Sequence, residues 1–177
     1  MQKMETKTII EAKPLTKKYA GIYADIPWED DGWPFERIIA LPVGPAVAEE
    51  ALLLMWVPMQ ALPHGLLLLK AWGFEYVGLL TFRKPSSDVE VCWYRSQCEY
   101  LLVGKRGTVR NCYLLRHTLY EGPDTGRAFK PEGFRTLLSM ATGISFGQDS
   151  PQLDLFGRYW HERYPEYGRE GCDFIEG

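Results

Sequence analysis

The chain has no apolar run near the roughly 20 residues that a membrane-spanning helix needs. Its most apolar stretch, Ala51 to Val57, is far shorter, so no membrane partner is expected. Histidines are few, and His64, His117 and His161 lack metal-ligand spacing, so no metal is expected. The four cysteines, Cys92, Cys98, Cys112 and Cys172, form no CxxC pair and no zinc pattern. Scattered thiols behind a polar N-terminus without a signal peptide point to a reducing, cytoplasmic setting. A basic excess is also lacking. The formal net charge of -3 excludes binding duplex nucleic acid by bulk charge alone and leaves such contact to local basic patches. No repeat and no linker divides the chain.

What is present is enough for one domain with a real core in 177 residues. Met1 to Lys18 reads as a polar N-terminal arm, and residues 19–177 as a single domain. Tyr19 to Ala24 reads as a strand. Glu29 to Phe35, with three acids, Gly32 and Pro34, reads as a loop. Val43 to Glu50 reads as a turn plus helix. Ala51 to Val57, bounded by Pro58, has the apolar continuity of a central strand covered on both faces. Gln60 to Trp72 reads as a helix with Pro63 tolerated near its start and Gly73 as its stop. Phe74 to Arg83 and Cys98 to Lys105 read as strands, with Pro85 to Glu90 a polar loop between them. Arg110 to Gly126 is part strand, part loop. Pro131 to Met140 reads as a helix, and Leu153 to Gly157 as a strand. Strands alternating with helices predict an α/β fold: a doubly wound, mostly parallel sheet with helices on both faces. Ligands bind such sheets outside the carboxyl ends of the strands. Asp25, Lys84 and Arg158 each follow a strand-like run and converge on one crevice in this reading.

The stretch with most chemical content is Asp25-Ile26-Pro27-Trp28. An exocyclic amine on a nucleobase is a poor nucleophile, because its lone pair is delocalised into the ring. A site that methylates it must accept hydrogen bonds from the NH2 group and hold the nitrogen in line with an electrophilic methyl. The Asp25 carboxylate and the Ile26 carbonyl supply the acceptors. The Trp28 ring supplies a stacking face, worth roughly 1–3 kcal/mol per base. Pro27 stiffens the turn. A base inside a duplex must first be extruded.

This motif, a strand end of the form Asp-x-Pro-Trp, resembles the signature of the MT-A70 family of S-adenosylmethionine-dependent adenine methyltransferases, Asp-Pro-Pro-Trp. Further segments match that family in order: Leu53-Leu54-Met55-Trp56-Val57; Ala71-Trp72-Gly73-Phe74; Thr81-Phe82-Arg83-Lys84-Pro85; Trp93 through Glu99 to Gly107; Lys130-Pro131-Glu132; and Leu153-Asp154-Leu155-Phe156-Gly157-Arg158. Roughly residues 20 to 172 are covered. The resemblance implies a Rossmann-like methyltransferase with its catalytic motif N-terminal to the cofactor strand. It implies S-adenosylmethionine as cofactor and transfer to the N6 amine of adenine in nucleic acid; the chain's small size favours DNA over RNA by analogy and does not settle the choice.

Carried over residue by residue, Asp25, Ile26, Pro27 and Trp28 form the catalytic site. Lys130 meets the cofactor carboxylate. Asp154, Leu155, Phe156, Gly157 and Arg158 form the ribose and adenine wall, and Arg169 and Glu170 the final cofactor contact. Trp33, Lys84, Trp93 and Arg95 are candidates for the substrate. The chain departs from the family where Ile26 replaces a proline, Asp154 a glutamate and Arg169 an asparagine. Ile26 and Arg169 motivate the alternative of a catalytically silent member that binds nucleic acid or supports an active partner. A homo- or heterodimer is a separate expectation. Plainer readings stand beside the sharp ones. Lys84 suits a solvated turn as well as a ligand. Trp93, Tyr94 and Arg95 suit a strand–loop junction as well as a base groove. Arg106, Arg110, Arg116 and His117 suit a solvated face as well as a phosphate contact. Glu99, inside an apolar strand, requires a buried partner.

Overall fold

The computed structural model describes residues 15, 17–28, 33–85, 89–91, 93–109, 117–123, 130–131, 133–147, 149–156 and 172–175. In chain order these form strand β1 (Tyr19–Asp25), helices α1 (Phe35–Ile39) and α2 (Val43–Ala46), and β2 (Val47–Val57). A 3-10 turn (Met59–Ala61), α3 (Leu62–Ala71) and β3 (Glu75–Arg83) follow. Then come β4 (Val89–Val91), β5 (Tyr94–Ser96), β6 (Cys98–Arg106), β7 (Leu119–Glu121), α4 (Gly133–Phe146), β8 (Gln152–Leu155) and β9 (Cys172–Ile175).

Seven strands make one sheet in the order β7-β3-β6-β2-β1-β8-β9, and β4 and β5 form a separate two-stranded ribbon. Pairing is parallel between β1 and β2, β1 and β8, β8 and β9, and β3 and β7. β6 runs antiparallel to both its neighbours, β2 and β3. The architecture is therefore mixed α/β around a mostly parallel sheet, with one reversed strand near the middle.

Strand alternation sends successive side chains of β2 to opposite faces. Leu53, Met55 and Val57 share a cluster with Leu68, Leu69 and Trp72 at α3. Leu52, Leu54 and Trp56 share another with Phe134, Leu138 and Ala141 of α4. Both faces of this strand are apolar because both are covered, which is why Ala51 to Val57 carries no polar residue.

Helix α3 ends where the sequence has Gly73. The Gly73 N–H bonds to the Lys70 carbonyl and the Phe74 N–H to the Leu69 carbonyl, both at 3.0 Å. This paired closure needs a left-handed residue, and Gly73 supplies it at φ 83°.

The elements differ from the sequence reading in three places. The helix expected over Val43 to Glu50 stops at Ala46, and β2 begins at Val47. Val-Ala-Glu-Glu has good helix formers, but pairing of Val47 with Tyr19 overrides that preference. Helix α4 begins two residues after Pro131 and runs on to Phe146. The stretch expected as a polar loop over Pro85 to Glu90 contains the start of β4.

Candidate active site

The edge where parallel strands end is set by register. Asp25 closes β1 opposite Trp56 of β2. Trp56 pairs with Leu101 of β6, and Glu99 of β6 pairs with Phe82 of β3. Because β6 is reversed, its first residues lie at the rim where β1, β2 and β3 finish. Alternation then decides facing. Tyr23, Trp56, Phe82 and Leu101 belong to the cluster on the α4 side. Asp25, Lys84 and Glu99 lie two residues from Tyr23, Phe82 and Leu101 and share that face. Asp154, opposite Tyr23 on β8, meets α4 through Arg135.

A line of alternating charge results. The Lys84 ammonium pairs with Glu99 Oε1, and the Lys130 ammonium with Glu99 Oε2. Lys130 Nζ also stands 3.9 Å from Asp25 Oδ1 and 5.4 Å from the centre of the Trp56 ring. Lys84 is 4% exposed, so its charge is tolerable only because it is paired. Glu99 thus has the buried partner its sequence setting demands, and has two of them. Burial raises the Asp25 carboxyl to about pKa 6. The cations Lys130 and Arg135 hold that rise in check, while Glu99 and Asp154 add to it.

Arg135, on α4, fixes the other end of the row. Its Nε and Nη2 donate to the two oxygens of Asp154 at 2.9 and 3.2 Å, a fork that suits a planar guanidinium. The same group lies 4.1 Å over the Tyr23 ring. Burial works against the Arg135 charge, but Asp154, Tyr23 and Asp25 together outweigh it and the pKa rises. Burial pushes the Tyr23 hydroxyl well above its ordinary pKa, so it stays protonated, and it accepts a hydrogen bond from the Trp56 indole at 2.5 Å.

The turn after Asp25 is tight. The Trp28 N–H bonds back to the Ile26 carbonyl at 2.9 Å across Pro27. The Trp28 indole N–H donates to the Trp56 carbonyl at 2.8 Å, which fixes the ring's direction. Trp28 itself leans on the α3-side cluster.

The remaining candidates are scattered. Trp33 is buried, edge-on to Phe156 at 4.7 Å and under the Arg37 guanidinium at 3.9 Å. Leu155 and Phe156 point into the same core. Phe156 holds φ 61°, a costly conformation for a bulky residue and one that clusters at ligand sites. Trp93 lies 92% exposed beside the β4–β5 turn, with Arg95 opposite Glu90 on the same ribbon. The structure thus unites Asp25, Lys84, Lys130 and Asp154 on one face. It sets Trp28, Trp33 and Phe156 on the other and Trp93 and Arg95 on a separate ribbon. Gly157, Arg158, Arg169 and Glu170 lie outside the described residues. Arg135 and Tyr23 were not legible as site residues. The available signal was the period of two that places Tyr23 beneath Asp25.

No curated protein matches the chain. The MT-A70 family model matches residues 8–170 of the 177. MT-A70 methyltransferases use S-adenosylmethionine as methyl donor. The donor set at the rim fits such a molecule: the Lys130 cation suits its carboxylate, and an acid beside an aromatic turn suits a polar base. No helix among the described residues is long and apolar enough to cross a membrane. With a match over nearly its whole length and this acid–aromatic turn at the strand ends, the chain belongs to the MT-A70 family, the S-adenosylmethionine-dependent N6-adenine methyltransferases.

Proposed function

We propose that this chain transfers a methyl group from S-adenosylmethionine to the exocyclic N6 amine of adenine in DNA. The observation that carries the reading is the placement of Asp25. It is a partly accessible carboxylate, its side chain 18% exposed, at the rim of the sheet and 3.9 Å from Lys130. When bound, S-adenosylmethionine supplies the sulfonium methyl. Asp25 accepts one N–H of the target amine. The Ile26 carbonyl, which has two lone pairs and gives one to Trp28, accepts the other. Both contacts draw electron density onto the nitrogen. The proton that the amine loses on methylation would pass to an Asp25 oxygen. A carboxyl with a pKa near 6 can take that proton and return it to water at neutral pH.

In the same proposal Lys130 pairs with the donor's carboxylate. Asp154 faces the ribose with the lone pairs that Arg135 leaves, and Phe156 and its successors Gly157 and Arg158 border the adenine. Arg169 and Glu170 close that site. Trp28 borders the base entry, Trp33 supports that wall from within the core, and Trp93 and Arg95 meet the flanking nucleic acid. The winding around these strands is of the Rossmann-like, doubly wound kind.

The test is incubation with labelled S-adenosylmethionine and adenine-containing oligonucleotides, single- and double-stranded, DNA and RNA. Label on N6 of DNA adenine, abolished by Asp25→Ala, is the expected result. No transfer in any arm, with Asp25→Ala indistinguishable, removes the proposal. The second reading is a silent member that binds nucleic acid. It is favoured by the Asp154–Arg135 fork, which occupies oxygens otherwise offered to the ribose. Calorimetry with S-adenosylmethionine separates the two, because only the enzyme must bind it.

A further inference from the structure

The proposed reaction uses Asp25 and its turn. It leaves two buried charges unexplained. Lys84 directly follows β3, and Glu99 is the second residue of β6. The strand order β3-β6-β2-β1 sets Lys84 three strand spacings from Asp25, roughly 14 Å at about 4.8 Å per spacing. At that distance Lys84 pulls on Asp25 directly far less than a charge in contact would. It does hold Glu99, whose other oxygen holds Lys130.

We propose that Lys84 and Glu99 are positioning residues. Glu99 divides its two oxygens between Lys84 and Lys130, and that division sets how far the Lys130 ammonium leans towards the carboxylate that receives the target amine. This rests on the functional reading above and adds two residues to it.

The physical argument follows the charges. Asp25 is faced by Lys130 from the segment before α4, by Arg135 from α4, by Glu99 from β6, by Asp154 from β8 and by Tyr23 on its own strand. Arg135 is committed to Asp154 by two hydrogen bonds. Lys130 is the cation that stands between two acids, in contact with Glu99 and 3.9 Å from Asp25. With Lys84 removed, the whole Glu99 charge falls on Lys130 and draws it from Asp25, which then binds its proton more tightly. With Glu99 neutralised, Lys130 closes on Asp25, which then releases its proton more easily. The two changes act in opposite directions, as independent through-space effects of the two charges also would, so the double variant decides whether Lys84 acts through Glu99.

The experiment titrates the Asp25 carboxyl by carbon-13 NMR in the full chain labelled at aspartate, with Asp25→Asn assigning the signal. The expected midpoint rises in Lys84→Met and falls in Glu99→Gln. Each shift is on the order of half a pH unit or more, the scale of a unit charge about two strand spacings away in a medium of effective dielectric near 20. The double variant Lys84→Met/Glu99→Gln lies nearer Glu99→Gln alone than the sum of the single shifts, because without Glu99 the Lys84 charge keeps only its weaker direct effect and has no route to Lys130. Lys84→Arg, which keeps a cation on Glu99, retains the original midpoint.

An unchanged midpoint in Lys84→Met, a Glu99→Gln midpoint at or above that of the parent, or a double variant at the sum of the singles overturns the proposal. Should Lys84→Met fail to fold, Lys84→Arg and Glu99→Gln decide it: a shift in the first or none in the second is fatal. The readout needs no methyl transfer. A chain that shows these shifts but no transfer contradicts the proposed function and leaves this inference standing.

Discussion

The Asp25 carboxylate and the Lys130 ammonium stand 3.9 Å apart, oxygen to nitrogen. That is too long for a hydrogen bond and short enough for strong mutual attraction in a partly buried site. An intermediate separation leaves the carboxylate titratable in a useful range, because burial and the nearby cations oppose each other.

The first consequence concerns the rate. Asp25 must be ionised to accept the amine N–H, so methyl transfer should rise with pH through about 6 and flatten above it. A profile of kcat/KM against pH checks this. Asp25→Asn should lower transfer about a hundredfold or more and abolish that limb, while S-adenosylmethionine affinity by calorimetry changes little.

Stability should run the other way. The folded-state value of about 6 lies above the ordinary 3.8, so the folded protein binds the proton more tightly than the unfolded chain. That stabilisation is fully present below about pH 4 and is lost as pH rises through 6. Asp25→Asn should therefore stabilise the protein at pH 7 by about 1–3 kcal/mol. The gain over the parent should vanish near pH 4. Urea unfolding at the two pH values measures it.

The Arg135–Asp154 pair is nearly buried, with side chains 15% and 9% exposed. Arg135→Met leaves the Asp154 charge without its fork and should cost about 3–5 kcal/mol. Replacing both, as Arg135→Met/Asp154→Leu, should recover most of that loss. Thermal unfolding of the three variants tests the order.

Trp28 offers two separable contributions. Trp28→Phe removes the indole bond to the Trp56 carbonyl but keeps a ring. It should raise KM for the oligonucleotide about fivefold, the worth of about 1 kcal/mol. Trp28→Ala also removes the stacking face and should cost about a further tenfold. Steady-state kinetics on one oligonucleotide compares them.

Much of this was readable in the chain. The apolar run at β2, the Gly73 stop and the acid at the end of β1 each depend on neighbours close in sequence, and each appears where such rules place it. Glu99 could be marked as needing a partner, since an acid among Leu101, Leu102 and Val103 is otherwise too costly. Its two partners could not be named. Lys84 and Lys130 reach it only because β6 is reversed and α4 crosses above, and those are long-range facts. Arg135 was hidden for the same reason. On a helix it looks like any exposed basic residue until Asp154 is brought beneath it. Val47 to Glu50 misled because local preference and strand pairing disagree, and pairing prevailed.

The reversed direction of β6 has one more effect. The chain leaves the large sheet at Arg83 and re-enters it opposite, at Cys98, so the β4–β5 ribbon joins the sheet through that one pair, on the same rim as Asp25. That ribbon, with Trp93 at its bend, is an exchangeable cassette. Under the proposed function, grafting a longer or differently charged one would change which flanking nucleotides are met and leave the hydrogen-bond ladder behind it untouched.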